Sequence, residues 1–387
     1  MKKKIAILGS TGSIGKSTIN IIEKDKYNFE IVLLTTHKNI TELTKQINKL
    51  RVKNVIITDK KSFDKFKRKN KIKKLKIFNN YKDLNKIIKK KLDYTMSSIS
   101  GLAGLEPTLR IINKTKTIAI ANKESIICGW DLIKKKLDKF KTTFIPVDSE
   151  HFSIWSLINK DSYKSVDKIF ITASGGPFLK WPIKKIMKAT PTKALKHPNW
   201  SMGKKISIDS ATMMNKVFEV IETQKIFNLP KSKIKILVHD KSYVHAIVKF
   251  KNGITKILAH DTNMRIPIFN SIYNNENKSI NSKKLDIKIL NNLNFENIDR
   301  KKFSLTKILK IIPNKNTLFE TVIISANDEL VNLFLKKKIT YYELHKKLLS
   351  IINFKEFKAY KNKKPRNIAQ INQLNNLVRL KIRELCI

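Results

Sequence analysis

Residues 3–15 read KKIAILGSTGSIG, an apolar run that leads directly into a stretch with three glycines. The apolar run predicts a buried β-strand, and residues 14–22 follow with the spacing of a helix. Glycines at such a strand-to-helix turn let the backbone approach a pyrophosphate, which then lies on the N-terminal amides of the helix. Because the spacing is G-x-x-G-x-x-G instead of G-x-G-x-x-G, a simple tight turn is the alternative to the predicted dinucleotide-binding turn.

The alternation of short apolar runs and helical patterns continues through the first part of the chain. Strands are predicted at FEIVLL, at VIIT and at residues 117–121 and 143–146, and a helix is predicted around residues 40–50. Alternating strands and helices are typical of a parallel sheet. The predicted fold class is therefore α/β, with an N-terminal Rossmann-like, doubly wound parallel sheet.

The rest of the chain changes character twice. From about residue 148 to 274 the predicted strands KIFITAS, IKILVH, YVHAIVKF and ITKILAH alternate with polar segments, which indicates a central α+β domain. Residues 275–300 are rich in Asn, Lys and Ser and indicate a linker or an irregular connection. Apolar residues at helical spacing beyond residue 305 predict a C-terminal α-helical bundle. The predicted division is thus 1–148, 149–274, the linker 275–300, and 301–387.

The chain is strongly basic, with 80 Lys and Arg against 31 Asp and Glu and a formal net charge of +49. Basic surfaces can attract nucleic acid or membranes, but these lysines are scattered, and no stripe of interleaved aromatic residues accompanies them. We therefore expect no nucleic-acid and no membrane partner. Cys128 and Cys386 have no paired spacing, and no apolar run approaches the roughly 20 residues of a membrane span, so a cytoplasmic location is expected.

The end of the second predicted strand bears on the choice of dinucleotide. A site that prefers NAD usually has Asp or Glu there, which accepts a hydrogen bond from the ribose 2′-hydroxyl. Here the strand is followed by His37, Lys38 and Asn39, whose cationic and amide donors favour the 2′-phosphate of NADP. The alternative is that Lys38 is one more solvated lysine of a basic chain.

Two carboxylates, Asp148 and Glu150, lie in PVDSEHFSIW directly after a predicted strand. In an extended segment their side chains would point to the same side, and converging carboxylates repel unless a cation or shared proton relieves them. Glu219, on the predicted helix MNKVFEVIE, offers a third carboxylate. Carboxylates without Cys or His at ligand spacing suit a hard divalent ion, Mg²⁺ or Mn²⁺. Taken alone, the pair would instead be surface charge.

Residues 197–222, HPNWSMGKKISIDSATMMNKVFEVIE, combine many kinds of hydrogen-bonding group with a glycine and small residues. Such a mixture is typical of a pocket for a polar anionic ligand. Hydroxyl, amide, ammonium and imidazole groups can hold a phosphate dianion and sugar hydroxyls. The candidates are Ser174 of ASGGPF, His197, Ser210, Asn215 and Lys216. A structural role is the alternative for His197, and a core position is the alternative to a lid over the ligand for Trp200.

Together these motifs resemble the 1-deoxy-D-xylulose 5-phosphate reductoisomerase family. The segments that carry the resemblance are, in order, GSTGSIG, SGLAGLEPTL, ANKES, PVDSEH, SGGPF, HPNWSMG and IDSATMMNK with its trailing glutamates, followed by NMRIPI and SANDELVNLFL. The resemblance implies a homodimer whose subunits have an NADPH-binding Rossmann-like domain, a central catalytic domain with the dimer contact and lid, and a C-terminal helical bundle.

The implied reaction converts the sugar phosphate 1-deoxy-D-xylulose 5-phosphate to 2-C-methyl-D-erythritol 4-phosphate, on the non-mevalonate route to isoprenoid precursors. It is a skeletal rearrangement followed by hydride reduction. The implied cofactors are NADPH and a divalent metal ion, Mg²⁺, Mn²⁺ or Co²⁺.

The resemblance also assigns roles to individual residues. The cofactor-binding positions are Thr11, Gly12, Ser13, Ile14, His37, Lys38, Asn39, Asn122, Glu124 and Gly203. The metal ligands are Asp148, Glu150 and Glu219. The substrate-binding positions are Lys123, Ser149, Glu150, Ser174, His197, Ser210, Asn215, Lys216 and Glu219. The catalytic positions are Asp148, Glu150, Glu219, Lys123 and His197.

The chain departs from the family in two places. His37 stands where the family has glycine, and His239, Asp240 and Lys241 stand where it has His-Pro-Gln. Neither change removes a chemical group of the site, so activity is expected. Two other functions compete: another NADP-dependent dehydrogenase, which accounts only for the glycine motif, and a polycationic nucleic-acid binder, which the intact set of candidate ligands opposes.

Overall fold

The computed structural model describes residues 2–158, 163–274 and 276–386. The chain divides into two units, called unit 1 and unit 2. Unit 1 comprises Met1–Ser125, Leu132–Phe152 and Met264–Asn281, and unit 2 comprises Ile126–Asp131, Ser153–Asn263 and Ser282–Ile387. The four ranges proposed from the sequence divide the chain more finely, and they stay a prediction about functional domains.

Strands and helices alternate along the first part of the chain, and helices dominate the last part. The strands are β1 (Lys3–Leu8), β2 (Phe29–Thr36), β3 (Asn54–Ile57), β4 (Lys76–Phe78), β5 (Leu92–Ser97), β6 (Thr115–Ile120), β7 (Thr143–Pro146), β8 (Val166–Ala173), β9 (Ile234–Val238), β10 (Val244–Phe250), β11 (Thr255–Ala259) and β12 (Glu296–Asn297). The helices are α1 (Ser13–Lys24), α2 (Ile40–Leu50), α3 (Lys60–Lys69), α4 (Leu84–Ile87), α5 (Leu105–Ile111), α6 (Lys123–Phe140), α7 (Ser149–Ile158), α8 (Ile183–Ile186), α9 (Pro191–Ala194), α10 (Lys204–Ala211), α11 (Met214–Phe227), α12 (Arg265–Tyr273), α13 (Ile287–Asn291), α14 (Phe319–Leu335), α15 (Tyr341–Ile351), α16 (Lys355–Lys358) and α17 (Ile368–Cys386).

Unit 1 is built on a parallel sheet with the strand order β4-β3-β2-β1-β5-β6-β7. Strand β1 is buried over Ile5–Leu8, which is why its sequence is a continuous apolar run. The chain leaves β1 at the point where the strand order reverses, and ligands of such sheets bind at the carboxyl ends of the strands there. The predicted α/β class is confirmed, and α2 and β7 have the predicted bounds.

Unit 2 contains a mixed sheet with the order β11-β10-β8-β9-β12. Strands β8 and β9 are parallel, and the other pairs are antiparallel. Val220 and Phe227 of α11 belong to one buried cluster with Ile169 and Ile171 of β8 and Val248 of β10. This apolar contact holds α11 against the sheet. The four strands predicted for this part of the sequence are confirmed.

The stretch predicted as a linker or irregular connection, 275–300, contains two short elements. Its described residues include helix α13, which Asp286 caps, and the short strand β12. Glu296 and Asn297 of β12 pair with Val238 and Leu237 of β9. Low hydrophobicity identified an irregular connection here but could not reveal a strand that is only two residues long.

The C-terminal part of unit 2 is helical, as predicted. Helix α14 is buried along most of its length and contacts α15 and α17. Glu329 of α14 accepts hydrogen bonds from Arg379 and Arg383 of α17 at 3.0 and 2.8 Å, which fixes the last helix. Among the described residues, no helix is both long enough and apolar enough to cross a membrane.

His345 makes the stability of this helical part depend on pH. Burial lowers the pKa of His345 to about 4, although the Tyr341 carbonyl oxygen, 3.0 Å from Nδ1, favours the proton. The unfolded chain therefore takes up a proton near pH 6.5 that the folded chain resists. We expect the contribution of His345 to the free energy of unfolding to be complete above pH 6.5 and to be lost as the pH falls towards 4, by about 3 kcal/mol at most.

Urea unfolding at pH 7.5, 6 and 5 tests this expectation by comparing the protein with its His345→Gln variant. The variant should lose less stability than the parent over the same pH interval. Parallel pH dependences in the two proteins would contradict the assignment of this acid sensitivity to His345.

Candidate active site

The glycine-rich turn of unit 1 connects β1 to α1. Gly9 has a φ of +81°, which glycine adopts readily, and α1 begins at Ser13 with Gly12 as its N-cap. A Cβ on Gly15 would lie 2.3 Å from the carbonyl oxygen of Gly9 and 2.6 Å from Ser10 Cα. The turn therefore needs Gly15 for close packing and Gly9 for its backbone angle. The first backbone amides of α1 lie at the end of this turn.

Hydrogen bonds from distant residues fix this turn. Gly9 N donates to Thr35 Oγ1 at 2.9 Å, and Tyr81 OH donates to the same oxygen at 3.0 Å. Gln46 Nε2 donates to the Ser10 carbonyl at 2.9 Å. Burial raises the pKa of Tyr81 to about 12, so the phenol stays protonated as a donor. No local sequence pattern identifies Thr35, Gln46 and Tyr81 as residues that fix this turn.

The residues that follow β2 lie at the same edge of the sheet. His37 Nδ1 is 2.9 Å from Thr58 Oγ1, and Asn39 Oδ1 accepts a hydrogen bond from Glu42 N at the start of α2. Lys38 is largely exposed, and its Nζ is 4.0 Å from an oxygen of Asp59. Asp59, which follows β3, is thus a further charge beside Lys38, and it is distant from Lys38 in the sequence.

Asn122 joins the end of β6 to α6. Its Oδ1 accepts from Ser125 N at 2.6 Å, and its Nδ2 donates to the carbonyl oxygens of Ile99 and Gly101. These bonds tie the loop after β5 to the start of α6. The next residue, Lys123, is buried and forms an ion pair with Asp148.

The carboxylates that follow β7 do not lie on an extended segment, and the sequence expectation was wrong on this point. Helix α7 begins at Ser149, and Phe152 N donates to the Asp148 carbonyl oxygen at 2.7 Å. Asp148 thus precedes the first turn and Glu150 lies within it. The two carboxylates nevertheless converge, with one oxygen of each within 4.8 Å of the other.

The charge state of Asp148 follows from its surroundings. Burial acts to raise the pKa of Asp148, but the Lys123 ammonium and the His151 ring outweigh it and hold the pKa well below its usual range. His151 Nδ1 lies 3.4 Å from Asp148 Oδ1, a contact that no sequence motif predicts. Ser149 Oγ donates to Glu150 Oε2 at 2.5 Å. Asp148 is therefore an ionised carboxylate.

In unit 2, the turn after β8 brings Ser174 next to α10. Gly175 and Gly176 have φ values of +80° and +65°. A Cβ on Gly176 would lie 2.9 Å from the carbonyl oxygen of Ser210, so only glycine lets the turn approach α10 this closely. Gly176 N donates to Ser174 Oγ at 3.1 Å and fixes the serine side chain.

His197 is oriented by its own loop. The amides of Asn199 and Trp200 donate to Nδ1 at 3.1 and 3.0 Å, so the ring proton is on Nε2, which is 3.0 Å from Ser174 Oγ. Burial, with a smaller effect of the Lys216 charge, lowers the pKa of His197 to about 4. The imidazole is therefore neutral at pH 7 and donates to Ser174, whose own O–H hydrogen remains to be donated to a ligand.

The turn between α10 and α11 supplies the other polar groups. Met213 has a φ of +65° and separates the two helices. Asn215 Nδ2 and Lys216 Nζ donate to different oxygens of Glu219, the lysine at 2.6 Å. Glu219 is fully buried. The first turns of α11 therefore group an amide, an ammonium and a carboxylate.

Comparisons with known proteins agree along the whole chain. Residues 5–129 match the 1-deoxy-D-xylulose 5-phosphate reductoisomerase family, residues 144–227 match its C-terminal domain, and residues 260–381 match the DXP reductoisomerase C-terminal domain. The reductoisomerase of Pelagibacter ubique (strain HTCC1062) is 58% identical over 387 residues, which are 100% of both chains. The chain belongs to the 1-deoxy-D-xylulose 5-phosphate reductoisomerase family.

Solved structures of reductoisomerases have the same fold. The enzyme from Zymomonas mobilis, in complex with NADPH, superimposes with a TM-score of 0.88 at 30% identity, over 100% of this chain and 99% of that one. A reductoisomerase in complex with NADPH, fosmidomycin and magnesium gives a TM-score of 0.88 at 29% identity, over 99% of this chain and 97% of that one.

The residues with roles implied by the reductoisomerase resemblance fall into two sets. Unit 1 carries Thr11, Gly12, Ser13, Ile14, His37, Lys38, Asn39, Asn122, Lys123, Glu124, Asp148, Ser149 and Glu150. Unit 2 carries Ser174, His197, Gly203, Ser210, Asn215, Lys216 and Glu219. Trp200 of the predicted lid is half-buried and its ring lies 6.0 Å from that of His245. Gly203 is exposed at the start of α10.

Proposed function

We propose that this chain is an NADPH- and divalent-metal-dependent oxidoreductase that converts 1-deoxy-D-xylulose 5-phosphate to 2-C-methyl-D-erythritol 4-phosphate, in the formation of isoprenoid precursors. The observation that carries the proposal is the 58% identity to a reductoisomerase over the full length of both chains. Relatives were solved with NADPH, and with NADPH, fosmidomycin and magnesium. The residues of both units provide the chemistry that such ligands require.

The turn after β1 fits a dinucleotide. A side chain at Gly15 would fill the space in which the turn packs. The first amides of α1, which begins at Ser13, have no acceptor within the helix, and a pyrophosphate can accept hydrogen bonds from such amides. Lys38, with His37 and Asn39, would contact the adenosine phosphate, and Asn122, Glu124 and Gly203 are the other proposed contacts. NADPH bound by these residues would supply the hydride for the reduction step.

The carboxylates fit a hard divalent cation. Asp148, Glu150 and Glu219 are the proposed ligands, and oxygen donors of this kind suit Mg²⁺ or Mn²⁺, with Co²⁺ a further candidate. Asp148 is held ionised, and Glu219 is buried with two donors on its oxygens. A cation bound there would stabilise negative charge on the substrate oxygens during the rearrangement.

The chain's own residues would bind and orient the substrate. A neutral His197 donates to Ser174, which leaves the serine O–H hydrogen for a ligand, and Lys216 would supply the charge that a phosphate needs. Ser210 and Asn215 would complete this phosphate anchor. Lys123 and Ser149 would contact the reacting end, since both lie beside the carboxylates of Asp148 and Glu150. Binding energy at the phosphate would position the reacting atoms.

We propose further that the protein is a cytoplasmic homodimer. Strand β11 lies at the edge of the unit 2 sheet, and Ile254 and Ile257 at this edge are about half exposed. An apolar sheet edge favours pairing with another strand, so a second copy of the chain is the proposed partner. Cys128 and Cys386 are free thiols, which suits a reducing compartment.

A spectrophotometric assay tests the activity and the choice of dinucleotide together. The purified chain, given 1-deoxy-D-xylulose 5-phosphate and Mg²⁺ or Mn²⁺, should consume NADPH, and EDTA should stop the consumption. Because cationic donors follow β2, kcat/KM should be at least about tenfold higher with NADPH than with NADH. No NADPH consumption with either metal would remove the proposed function. Equal use of both dinucleotides would remove only the role of Lys38.

A further inference from the structure

Ser210, a proposed phosphate anchor, lies between two residues of α10 that other helices hold. On its N-terminal side, Asp209 is buried and accepts a hydrogen bond from Asn327 Nδ2 of α14 at 2.7 Å. Lys205 Nζ lies 3.0 Å from Asp209 and 3.0 Å from Asp328. On its C-terminal side, the carbonyl oxygen of Ala211 accepts a hydrogen bond from Tyr341 OH of α15 at 2.8 Å.

The hydrogen bond from Tyr341 satisfies a backbone carbonyl group that has no acceptor role within α10 itself. The last carbonyl groups of a helix have no amide donor in a following turn. Here the helical backbone ends after α10, because Met213, before α11, has a φ of +65°. The Ala211 carbonyl is one of these groups. Burial raises the pKa of Tyr341, so its hydroxyl stays protonated as a donor at neutral pH.

The same side chain contacts the other anchor segment. The ring of Phe178 lies edge-on to that of Tyr341, with ring centroids 5.5 Å apart. Phe178 closes the turn that begins at Ser174, and Gly176 of this turn packs on the Ser210 carbonyl. Tyr341 therefore braces both serine segments, one through its hydroxyl and the other through its ring.

From this arrangement we infer that Tyr341 and Asp209 are positioning residues for the phosphate end of the substrate. The inference rests on the proposed function and deepens it: α14 and α15 set the geometry of the anchor without touching the ligand. Removing either contact lets α10 and the Ser174 turn shift relative to each other. The result is weaker binding of a phosphate group. NADPH binding changes little, because Gly203 is the one proposed NADPH contact at α10 and it lies at the opposite end of that helix from Asp209 and Ala211.

The test is Tyr341→Phe, which removes only the hydroxyl. The KM for 1-deoxy-D-xylulose 5-phosphate should rise about five- to tenfold, which is the effect expected from the loss of one buried hydrogen bond. The inhibition constant of inorganic phosphate should rise by the same factor. The kcat and the KM for NADPH should stay within about twofold. Tyr342→Phe is the matched control, because Tyr342 is the next residue of the same helix and is half exposed.

The outcomes separate the inference from the function on which it rests. If the unsubstituted enzyme does not turn over, the proposed function fails before the variant is needed. If the enzyme is active and Tyr341→Phe lowers only the melting temperature, with both phosphate constants unchanged, Tyr341 is merely structural and the inference is overturned. Should Tyr341→Phe fail to fold, Asp209→Asn decides with the same readouts: a raised KM and phosphate inhibition constant support positioning, and unchanged values overturn it.

Discussion

Replacing Glu219 by glutamine should lower kcat about a thousandfold or more, while the Kd for NADPH stays within about twofold. The substitution keeps the size of a fully buried side chain and removes the charge that a divalent cation requires. It also places an amide NH₂ group against a donor, because Asn215 Nδ2 and Lys216 Nζ each donate to one oxygen of Glu219. Steady-state kinetics over a range of Mg²⁺ and Mn²⁺ concentrations, with NADPH binding followed by fluorescence, measures both effects.

Glu222→Gln is the matched control for this prediction. Glu222 lies on the same helix three residues later and is also buried, so it undergoes the same chemical change in a similar setting. Its kcat should fall less than about tenfold, since it is not a proposed ligand. Thermal unfolding of both variants shows whether the fold survives. A Glu219→Gln enzyme with normal turnover and a normal metal requirement would exclude Glu219 from the ligand set.

How much of this site can be predicted from the sequence depends on how far apart in the chain the contacting residues lie. The glycine turn could be predicted because strand, glycines and helix are adjacent in the chain and each pattern is local. Its fixing residues could not, since Tyr81 reaches Thr35 across 46 positions and both are ordinary polar residues in the sequence. Such contacts can be predicted only when the order of the strands in the sheet is known.

The error at Asp148 and Glu150 has a physical cause that the sequence does contain. Both were placed on an extended segment because they follow a strand, yet the Asp148 carbonyl accepts the first helical hydrogen bond and Glu150 lies in the first turn. Asp before a helix, with an acid in the first turn, is a helix-start signal. The carboxylates were expected to converge, and they do so within 4.8 Å, but through a helix start instead of an extended strand end.

The state of His197 could not have been predicted from composition. A histidine in a polar loop could be charged and bind phosphate directly. The structure shows two backbone amides donating to Nδ1, and burial lowers the pKa to about 4. The ring is therefore a neutral donor to Ser174 at pH 7. The proposed source of positive charge for a phosphate is therefore Lys216.

Replacing Gly15 by alanine should lower the free energy of unfolding by about 2–3 kcal/mol and raise the KM for NADPH at least about tenfold. Helix propensity predicts the opposite sign, because alanine inside a helix is about 1 kcal/mol more favourable than glycine. At this position, however, the new Cβ would lie 2.3 Å from the Gly9 carbonyl oxygen and 2.6 Å from Ser10 Cα. These are backbone atoms, so the turn itself must move, and the amides of α1 move with it.

Gly12→Ala is the control that distinguishes backbone strain in Gly15→Ala from a loss of contact with the dinucleotide. A Cβ on Gly12 would meet only the Gly9 carbonyl oxygen, at 3.4 Å, which is an ordinary contact. The unfolding free energy of this variant should therefore change by less than about 1 kcal/mol, the usual effect of alanine at an N-cap. Urea unfolding and NADPH kinetics on both variants give the comparison. If Gly15→Ala proved more stable than the parent, the helix propensity of alanine would outweigh the close contact of its Cβ with Gly9. The turn would then not depend on the packing of Gly15 against Gly9.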